Sequence, residues 1–231
     1  MSKLNYQIVA NGDAAVSILF TAPVSEKLSR QIQWLAKFLA TELAEVITDI
    51  IPAYQSLTLC YAPTKGNQQQ MLDVLATVFK NDIPQDDYES QLITIPVCYD
   101  SVYAPDMEAL ATAKGLSRQE VIELHSNTDY LLHMLGFSPG FLYLGGLNPL
   151  LVYPRKAIPT ARVPAGSVGI GGNQTGIYPQ ETPGGWHIIG RTPISLFNAN
   201  WASPCVAQPL DKVRFKSIDS REFLALNEAS V

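Results

Sequence analysis

The sequence has few charged residues, no cluster of basic residues and no long apolar run, and each of these features excludes a class of protein. Charged residues make up 16% of the 231 residues, and the formal net charge is −5. A nucleic-acid-binding protein would need a basic footprint that is missing here. No apolar run approaches the ~20 residues that a helix needs to span a bilayer. We therefore expect neither a nucleic acid nor a membrane as a partner.

Cysteine and histidine are also scarce, with three residues of each type. The cysteines are scattered and odd in number, which favours free thiols over a disulfide framework. The histidines lack the HxH and HExxH spacings of metal sites, so we expect no metal or prosthetic group in this chain. The first residues turn polar too early for a secretory signal peptide, and we expect a cytoplasmic location.

Residues 1–88 have the pattern of an α/β domain. A strand-like run at 15–20 is followed by apolar residues at helical spacing after Ser25, a candidate N-cap. Two more strand-like runs, at 46–51 and 57–61, precede a second amphipathic helix. With a closing strand at 92–97, this order predicts a ferredoxin-like sheet covered by helices.

The polar, acidic stretch at 81–90 is the best candidate for a linker to a second domain, residues 89–231. That domain begins with two predicted helices. One ends at Gly115, a left-handed cap, and the next begins with a capping box of Ser117 and Glu120.

The remainder of the second domain is rich in turn residues. Residues 136–193 hold 12 of the 15 glycines and 8 of the 16 prolines, with short strand-like pieces between them. Short strands with frequent turns predict an all-β barrel or sandwich. Rigid loops of this composition often carry binding residues, so we place the functional centre here.

The segment 166–172 contains four glycines and Ser167. Its glycines could cradle a phosphate or admit a neighbouring backbone, although neither GxxxxGK[ST] nor GxGxxG spacing is present. Around Ser167 the sequence resembles a weakened GxSxG nucleophile elbow. However, Pro164 precedes it, and glycines follow where an elbow requires a helix. Ser167 stays a candidate for binding a substrate or a partner.

Five other residues of this region are candidates for binding or orienting a ligand. Arg162 and Arg191 could grip a carboxylate or phosphate with two parallel hydrogen bonds, or could pair with an acid or fasten a loop. Phe141 could stack on a flat ligand or belong to the core. Gln174 and Tyr178, in and beside a polar turn, could orient an amide or carbonyl group.

His125 and His187 are the imidazoles near this region that could act as a general base or acid near neutral pH. His125 falls at the end of the second predicted helix, just before the glycine-rich region. His187 lies in a strand-like run. Each could instead have a structural role.

These residues also carry a family resemblance. The motifs at 136–147, 154–155, 163–170, 174–179 and 183–193 resemble the 5-oxoprolinase B-subunit family, also called allophanate hydrolase subunit 1 or carboxyltransferase subdomain A. The family includes an inhibitor of a sporulation histidine kinase. The similarity covers nearly the whole chain. One departure is Thr160, which stands where the family has an arginine directly after the proline.

The resemblance implies an α+β fold, in which an N-terminal α/β domain precedes a cyclophilin-like β-barrel. It implies pairing with a homologous C subunit. With an A subunit, such pairs open 5-oxoproline to glutamate with ATP, and with Mg, at the level of the complex. The chain would then be part of an ATP-dependent amidohydrolase and catalytically incomplete alone.

Such a site would need donors for the amide oxygen, a cation for a carboxylate or phosphate, and a base. Gln174 and Tyr178, Arg162 or Arg191, and His125 could supply these three functions. Two alternatives stay open. One is a regulatory protein that inhibits a sensor histidine kinase, and the other is the carboxyltransferase part of an allophanate- or urea-processing enzyme.

Overall fold

A computed structural model describes residues 4–229 of the chain. The chain divides into two compact units, with the division between Tyr88 and Glu89. Within the described residues, no helix is both long and apolar enough to cross a membrane. Each unit has a hydrophobic core of its own.

The first unit is a four-stranded antiparallel sheet packed against two helices. In chain order its elements are β1 (Tyr6–Ala10), β2 (Ala15–Phe20), α1 (Glu26–Glu42), β3 (Ile47–Pro52), β4 (Ser56–Tyr61) and α2 (Gln68–Val78). The strand order is β1-β2-β4-β3. Alternate residues of β2 and β4 pack against the apolar faces of both helices, as the period-2 and period-3.6 patterns predict. As expected, the Ser25 side chain caps α1 by accepting a hydrogen bond from the Leu28 amide.

The prediction that a strand at 92–97 closes this sheet is wrong. That segment belongs to the second unit, where it pairs with two other strands, and β1 is the fourth strand of the first sheet. A ferredoxin-like arrangement is therefore not confirmed. Alternation of apolar residues specifies which face of a strand is buried, but it does not specify which strand is the partner.

The second unit is built around a closed seven-stranded barrel. In chain order its elements are β5 (Leu92–Cys98), α3 (Met107–Lys114), α4 (Arg118–Ser126), β6 (Asp129–Leu135), β7 (Leu142–Gly145), β8 (Thr160–Val163), β9 (Ser167–Gly171), β10 (Gln174–Ile177), β11 (Thr182–Gly184), β12 (His187–Arg191), β13 (Lys212–Ile218) and α5 (Ser220–Ala229), with a 3₁₀ turn at Pro149–Leu151. The barrel order is β10-β7-β6-β13-β5-β12-β9, and the hairpin of β9 and β10 closes it.

The barrel fits the cyclophilin-like prediction. The other two strands, β8 and β11, form a separate two-stranded sheet that we call the ribbon. The two predicted helices are confirmed. Gly115 ends α3 with φ 65°, and Ser117 and Glu120 form the capping box of α4.

Close packing explains the glycines of the segment 166–172. A Cβ atom at Gly171 would lie 2.6 Å from the Trp186 ring, and one at Gly166 would overlap the carbonyl oxygen of Thr192. Gly166 also has φ +81°, a left-handed conformation that side chains other than glycine rarely adopt. The buried strand β9 therefore favours the structural role of these glycines over a phosphate cradle.

Replacing Gly166 with alanine should lower the free energy of unfolding by about 2–4 kcal/mol, since it adds both backbone strain and a steric overlap. Gly172→Ala is the matched control, because Gly172 has φ +67° but nothing within 4 Å of the position that a Cβ atom would take. We expect that control to lose only about 1 kcal/mol. Urea unfolding measures both values, and equal losses would contradict the close contact with Thr192.

Candidate functional site

Two cavities border the ribbon in the second unit. The aromatic cavity, of about 340 Å³, is lined chiefly by Phe137, Phe141, Tyr143, Tyr178 and Trp186, with Arg155 and Lys156. The basic cavity, of about 260 Å³, is lined chiefly by Lys156, Arg162, Arg191, Ser167, Asp106 and Tyr103. The Lys156 side chain lines both, so the two cavities adjoin at this residue.

Neighbouring strands position the predicted residues of the basic cavity. Arg191 of β12 lies opposite Ser167 of β9, and its Nε donates a 2.7 Å hydrogen bond to the carbonyl oxygen of Ala165. The Arg162 side chain on β8 is 83% exposed, and its Nε lies 3.8 Å from a carboxylate oxygen of Glu181. An exposed ion pair at this distance contributes little to the stability of the fold. Arg162 and Arg191 therefore place two guanidinium groups beside the cavity.

An ion pair that sequence analysis missed connects the ribbon to the barrel. The Lys156 Nζ lies 2.7 Å from Asp106 Oδ2 and donates a 3.0 Å hydrogen bond to Thr160 Oγ1. The same carboxylate oxygen accepts a 2.7 Å hydrogen bond from the Ile188 amide. Both charged side chains are only 19% exposed. Asp106 and Lys156 are distant in the sequence and match no motif, so no local signal could have found the pair.

The aromatic cavity has a rigid wall of rings. Phe141 meets Tyr178 and Trp186 edge to face, with centroid distances of 5.0 and 5.5 Å. The Arg155 guanidinium lies 5.7 Å from the centroid of the Trp186 ring, within the range of a cation–π interaction. Phe137, which is 62% exposed, has the left-handed φ of 65°.

Burial raises the pKa of the Tyr178 phenol, although a hydrogen bond with the Trp186 backbone and the charge of Arg155 oppose the shift. Burial also raises the pKa of the Tyr143 phenol. Both phenols are therefore neutral at physiological pH.

His125 lies in the barrel core and not at a cavity. Its Nε2 is 2.9 Å from Thr175 Oγ1, its Nδ1 is 2.8 Å from the Tyr99 hydroxyl, and its ring stacks on Phe215. Because the Thr175 hydroxyl donates to the carbonyl of Gly169, it accepts from His125 Nε2–H, and Nδ1 accepts from Tyr99. Complete burial lowers the pKa of His125 from 6.5 to about 3. The imidazole is therefore neutral and closed to solvent.

The two remaining candidates lie elsewhere on the barrel. His187 Nε2 is 3.0 Å from the carbonyl oxygen of Pro154, and its ring contacts Tyr153. Gln174 begins β10 opposite Gly171, at the turn of the β9–β10 hairpin. The structure thus brings together two groups of predicted residues: Arg162, Arg191 and Ser167 in the basic cavity, and Phe141 and Tyr178 in the aromatic cavity.

The side chains that commonly bind metals do not gather in the described part of the chain. Among residues 4–229, no cluster of three or more His, Cys, Asp and Glu side chains could hold a metal ion.

Comparison with known proteins extends these observations. Residues 6–207 match the family of the carboxyltransferase domain, subdomain C and D. The chain is 37% identical to the B subunit of the 5-oxoprolinase of Bacillus subtilis, over 98% of this chain and 99% of that protein. It is 39% identical to the B subunit of the 5-oxoprolinase of Escherichia coli O157:H7, over 88% of this chain and 92% of that protein.

Among solved structures, the urea amidolyase of Kluyveromyces lactis matches with a TM-score of 0.85 over 99% of this chain. The match covers only 16% of the amidolyase chain, and the two sequences are 18% identical. At that identity the likeness is one of fold alone.

Proposed function

Because the chain belongs to the 5-oxoprolinase B-subunit family, we propose that it is one subunit of a cytoplasmic complex that opens 5-oxoproline to glutamate with ATP. The observation that carries this proposal is the similarity to two 5-oxoprolinase B subunits over nearly the full length of both. The proposed partners are a homologous C subunit, together with an A subunit, without which the chain is incomplete.

The basic cavity is the proposed site for the substrate. 5-Oxoproline is a five-membered lactam that carries one carboxylate, and arginine binds a carboxylate through two parallel hydrogen bonds. The bond from Arg191 Nε to Ala165 holds the guanidinium in place and is compatible with a carboxylate on its two terminal nitrogens. Arg162, at the exposed side of the cavity, would contribute a second cation.

Lys156 is the group proposed to stabilise charge on the amide oxygen. A lactam is a stable amide, and its ring opens only if the carbonyl oxygen can carry negative charge or bear a phosphoryl group. The Lys156 side chain is mostly buried where the two cavities adjoin, and its ammonium is held by Asp106 and Thr160. A donor held in this way stabilises developing charge without reorganising during the reaction.

The basic cavity fits the phosphates of ATP but not a Mg²⁺ ion. ATP, when bound, supplies a phosphoryl group that activates the amide, and the cations Lys156, Arg162 and Arg191 fit such a group. Among the described residues that line the basic cavity, Asp106 is the only acid, and it is paired with Lys156. We therefore assign no Mg²⁺ site to this cavity.

The base is not assigned to a histidine of this chain. His125 is buried and neutral, and its two ring nitrogens already bind Tyr99 and Thr175. We propose a structural role for it, and likewise for His187 on the Pro154 carbonyl. Gln174 lies at a hairpin turn, and we propose a structural role for it as well. The base that activates water would come from one of the partner subunits.

Reconstitution tests the proposal. The purified chain is assayed for glutamate release alone, with the C subunit, and with the A and C subunits together. We expect ATP-dependent release only from the full mixture, because Asp106, the only carboxylate among the described residues that line the basic cavity, is already paired with Lys156. Release by the lone chain would contradict its incompleteness. A full mixture of folded subunits that releases no glutamate would refute the assignment.

The same purified subunits also test the two alternative functions, a part of a urea- or allophanate-processing enzyme and an inhibitor of a sensor histidine kinase. A urea- or allophanate-processing role has weaker support, from likeness of fold to one urea amidolyase and from 22% sequence identity to another, and it predicts activity that depends on biotin. Inhibition of a sensor histidine kinase stays a hypothesis. It predicts that a kinase and not the C subunit is recovered in stoichiometric amount with the chain.

A further inference from the structure

We infer that the aromatic cavity binds the planar base of a nucleotide, with the phosphates directed toward Lys156. The inference deepens the proposed function and rests on it, since it locates on this chain a nucleotide site that no sequence motif indicates. The cavity volume of about 340 Å³ lies at the lower end of the roughly 300–1,000 Å³ typical of small-molecule sites.

The wall of the cavity is suited to a flat ring. Phe141, Tyr178 and Trp186 are buried and hold one another edge to face. Tyr143 is half-buried, with its ring centroid 4.6 Å from that of Phe141, and Phe137 is mostly exposed. A rigid inner wall with two more accessible rings can stack a base. Such stacking contributes about 1–3 kcal/mol per base in other proteins.

The backbone at Phe137 points to a function for its ring. A φ of 65° is uncommon for a residue other than glycine, and such strain concentrates at ligand sites. The ring meets Phe141 and Tyr178 edge to face at 5.5 and 6.3 Å, yet 62% of the residue stays exposed. Burial of the Phe137 ring therefore compensates for the backbone strain only in part. A bound planar ligand would cover the part of the Phe137 ring that is now exposed.

The charges select the class of ligand. Among the described residues that line the aromatic cavity, Arg155 and Lys156 are the charged ones, and both are cations. Aromatic sites for ammonium ligands attract a cation to the ring faces, but here the Arg155 guanidinium already lies over the Trp186 ring and would repel such a ligand. A planar ligand that carries anionic groups is favoured instead, and a nucleotide combines both features.

The position of Lys156 relates this site to the proposed reaction. The Lys156 side chain lines both cavities. A base in the aromatic cavity with phosphates at Lys156 would place the terminal phosphate beside the basic cavity. The two cavities would then form one site with two compartments, one for the base and one for the small acid.

Tryptophan fluorescence of the full chain tests the inference. Trp34→Phe and Trp201→Phe leave Trp186 as the only reporter. This protein is titrated with ATP, adenosine and inorganic triphosphate. We expect saturable quenching by ATP, weaker quenching by adenosine, and no quenching by triphosphate, which has no ring to stack.

Arg155→Ala and Phe137→Ala should each raise the Kd for ATP about tenfold. Arg221→Ala, an exposed arginine on α5, is the matched control and should leave the Kd unchanged.

Equilibrium dialysis with labelled ATP repeats the comparison on the chain in its complex with the C subunit, and circular dichroism checks that each variant is folded. The inference is overturned if ATP binds neither form, or if it binds with a Kd that Arg155→Ala and Phe137→Ala leave unchanged. In either case glutamate release by the full mixture would still support the proposed function. Conversely, ATP binding that depends on Phe137 and Arg155 would support the nucleotide site even if the full mixture released no glutamate.

Discussion

Replacing Lys156 with methionine is expected to lower kcat for glutamate formation by the reconstituted complex about 10²–10³-fold, the usual loss when one donor to a developing oxyanion is removed. Lys156 lines both cavities, and its ammonium nitrogen lies 2.7 Å from Asp106 Oδ2. Methionine keeps the length of the side chain and removes the charge. The initial rate of glutamate release at saturating substrates measures the effect.

The same substitution leaves the Asp106 carboxylate without its partner, so a loss of stability must be separated from a loss of catalysis. We expect Lys156→Met to cost about 1–3 kcal/mol of unfolding free energy. The double variant with Asp106→Asn removes the unpaired charge and should regain part of that loss while activity stays low. Lys114→Met, at a surface lysine that donates to the Val152 carbonyl, is the matched control. Recovery of activity together with stability would show that Lys156 is only structural.

Acidification should destabilise the protein through His125. Burial lowers the pKa of this imidazole from 6.5 to about 3, so below pH 6.5 the unfolded chain binds a proton that the folded chain excludes. The stability contributed by the neutral ring is complete above pH 6.5 and is lost as the pH falls toward 3. In this range the free energy of unfolding falls by about 1.4 kcal/mol for each pH unit of acidification. Urea unfolding between about pH 7 and pH 4 measures it.

His125→Phe isolates this contribution from that of the carboxylates. Phenylalanine preserves the stacking on Phe215 but removes the titrating ring and leaves the Tyr99 hydroxyl without its acceptor. We expect the variant to be less stable by roughly 1–3 kcal/mol near pH 7 and more stable than the wild type below about pH 5. His187→Phe is the control for the loss of a histidine, because it leaves His125 in the core and should keep the loss of stability toward acid pH. Parallel curves for wild type and His125→Phe would contradict a buried, neutral imidazole.

The sequence by itself determined the features that arise from neighbouring residues. The capping box of Ser117 and Glu120, the left-handed cap at Gly115 and the N-cap at Ser25 depend on hydrogen bonds within one turn of a helix, and all three form as expected. Frequent glycine and proline between short strands indicated an all-β barrel or sandwich, and the structure has the barrel. Arg162, Arg191 and Ser167 were identified as binding candidates because of their residue type and their glycine-rich surroundings, and the structure brings them to one cavity.

Only the tertiary structure decided which distant residues meet. The strand Leu92–Cys98 pairs in the barrel and not in the first sheet, since its apolar pattern suits either partner. His125 ends its helix as expected, but packing of β10 and β13 around the ring makes it a neutral core residue. Asp106, just before α3, and Lys156, just before the ribbon strand β8, form an ion pair because the fold brings these two segments together. Such contacts depend on how whole elements pack, and no local pattern of residues encodes them.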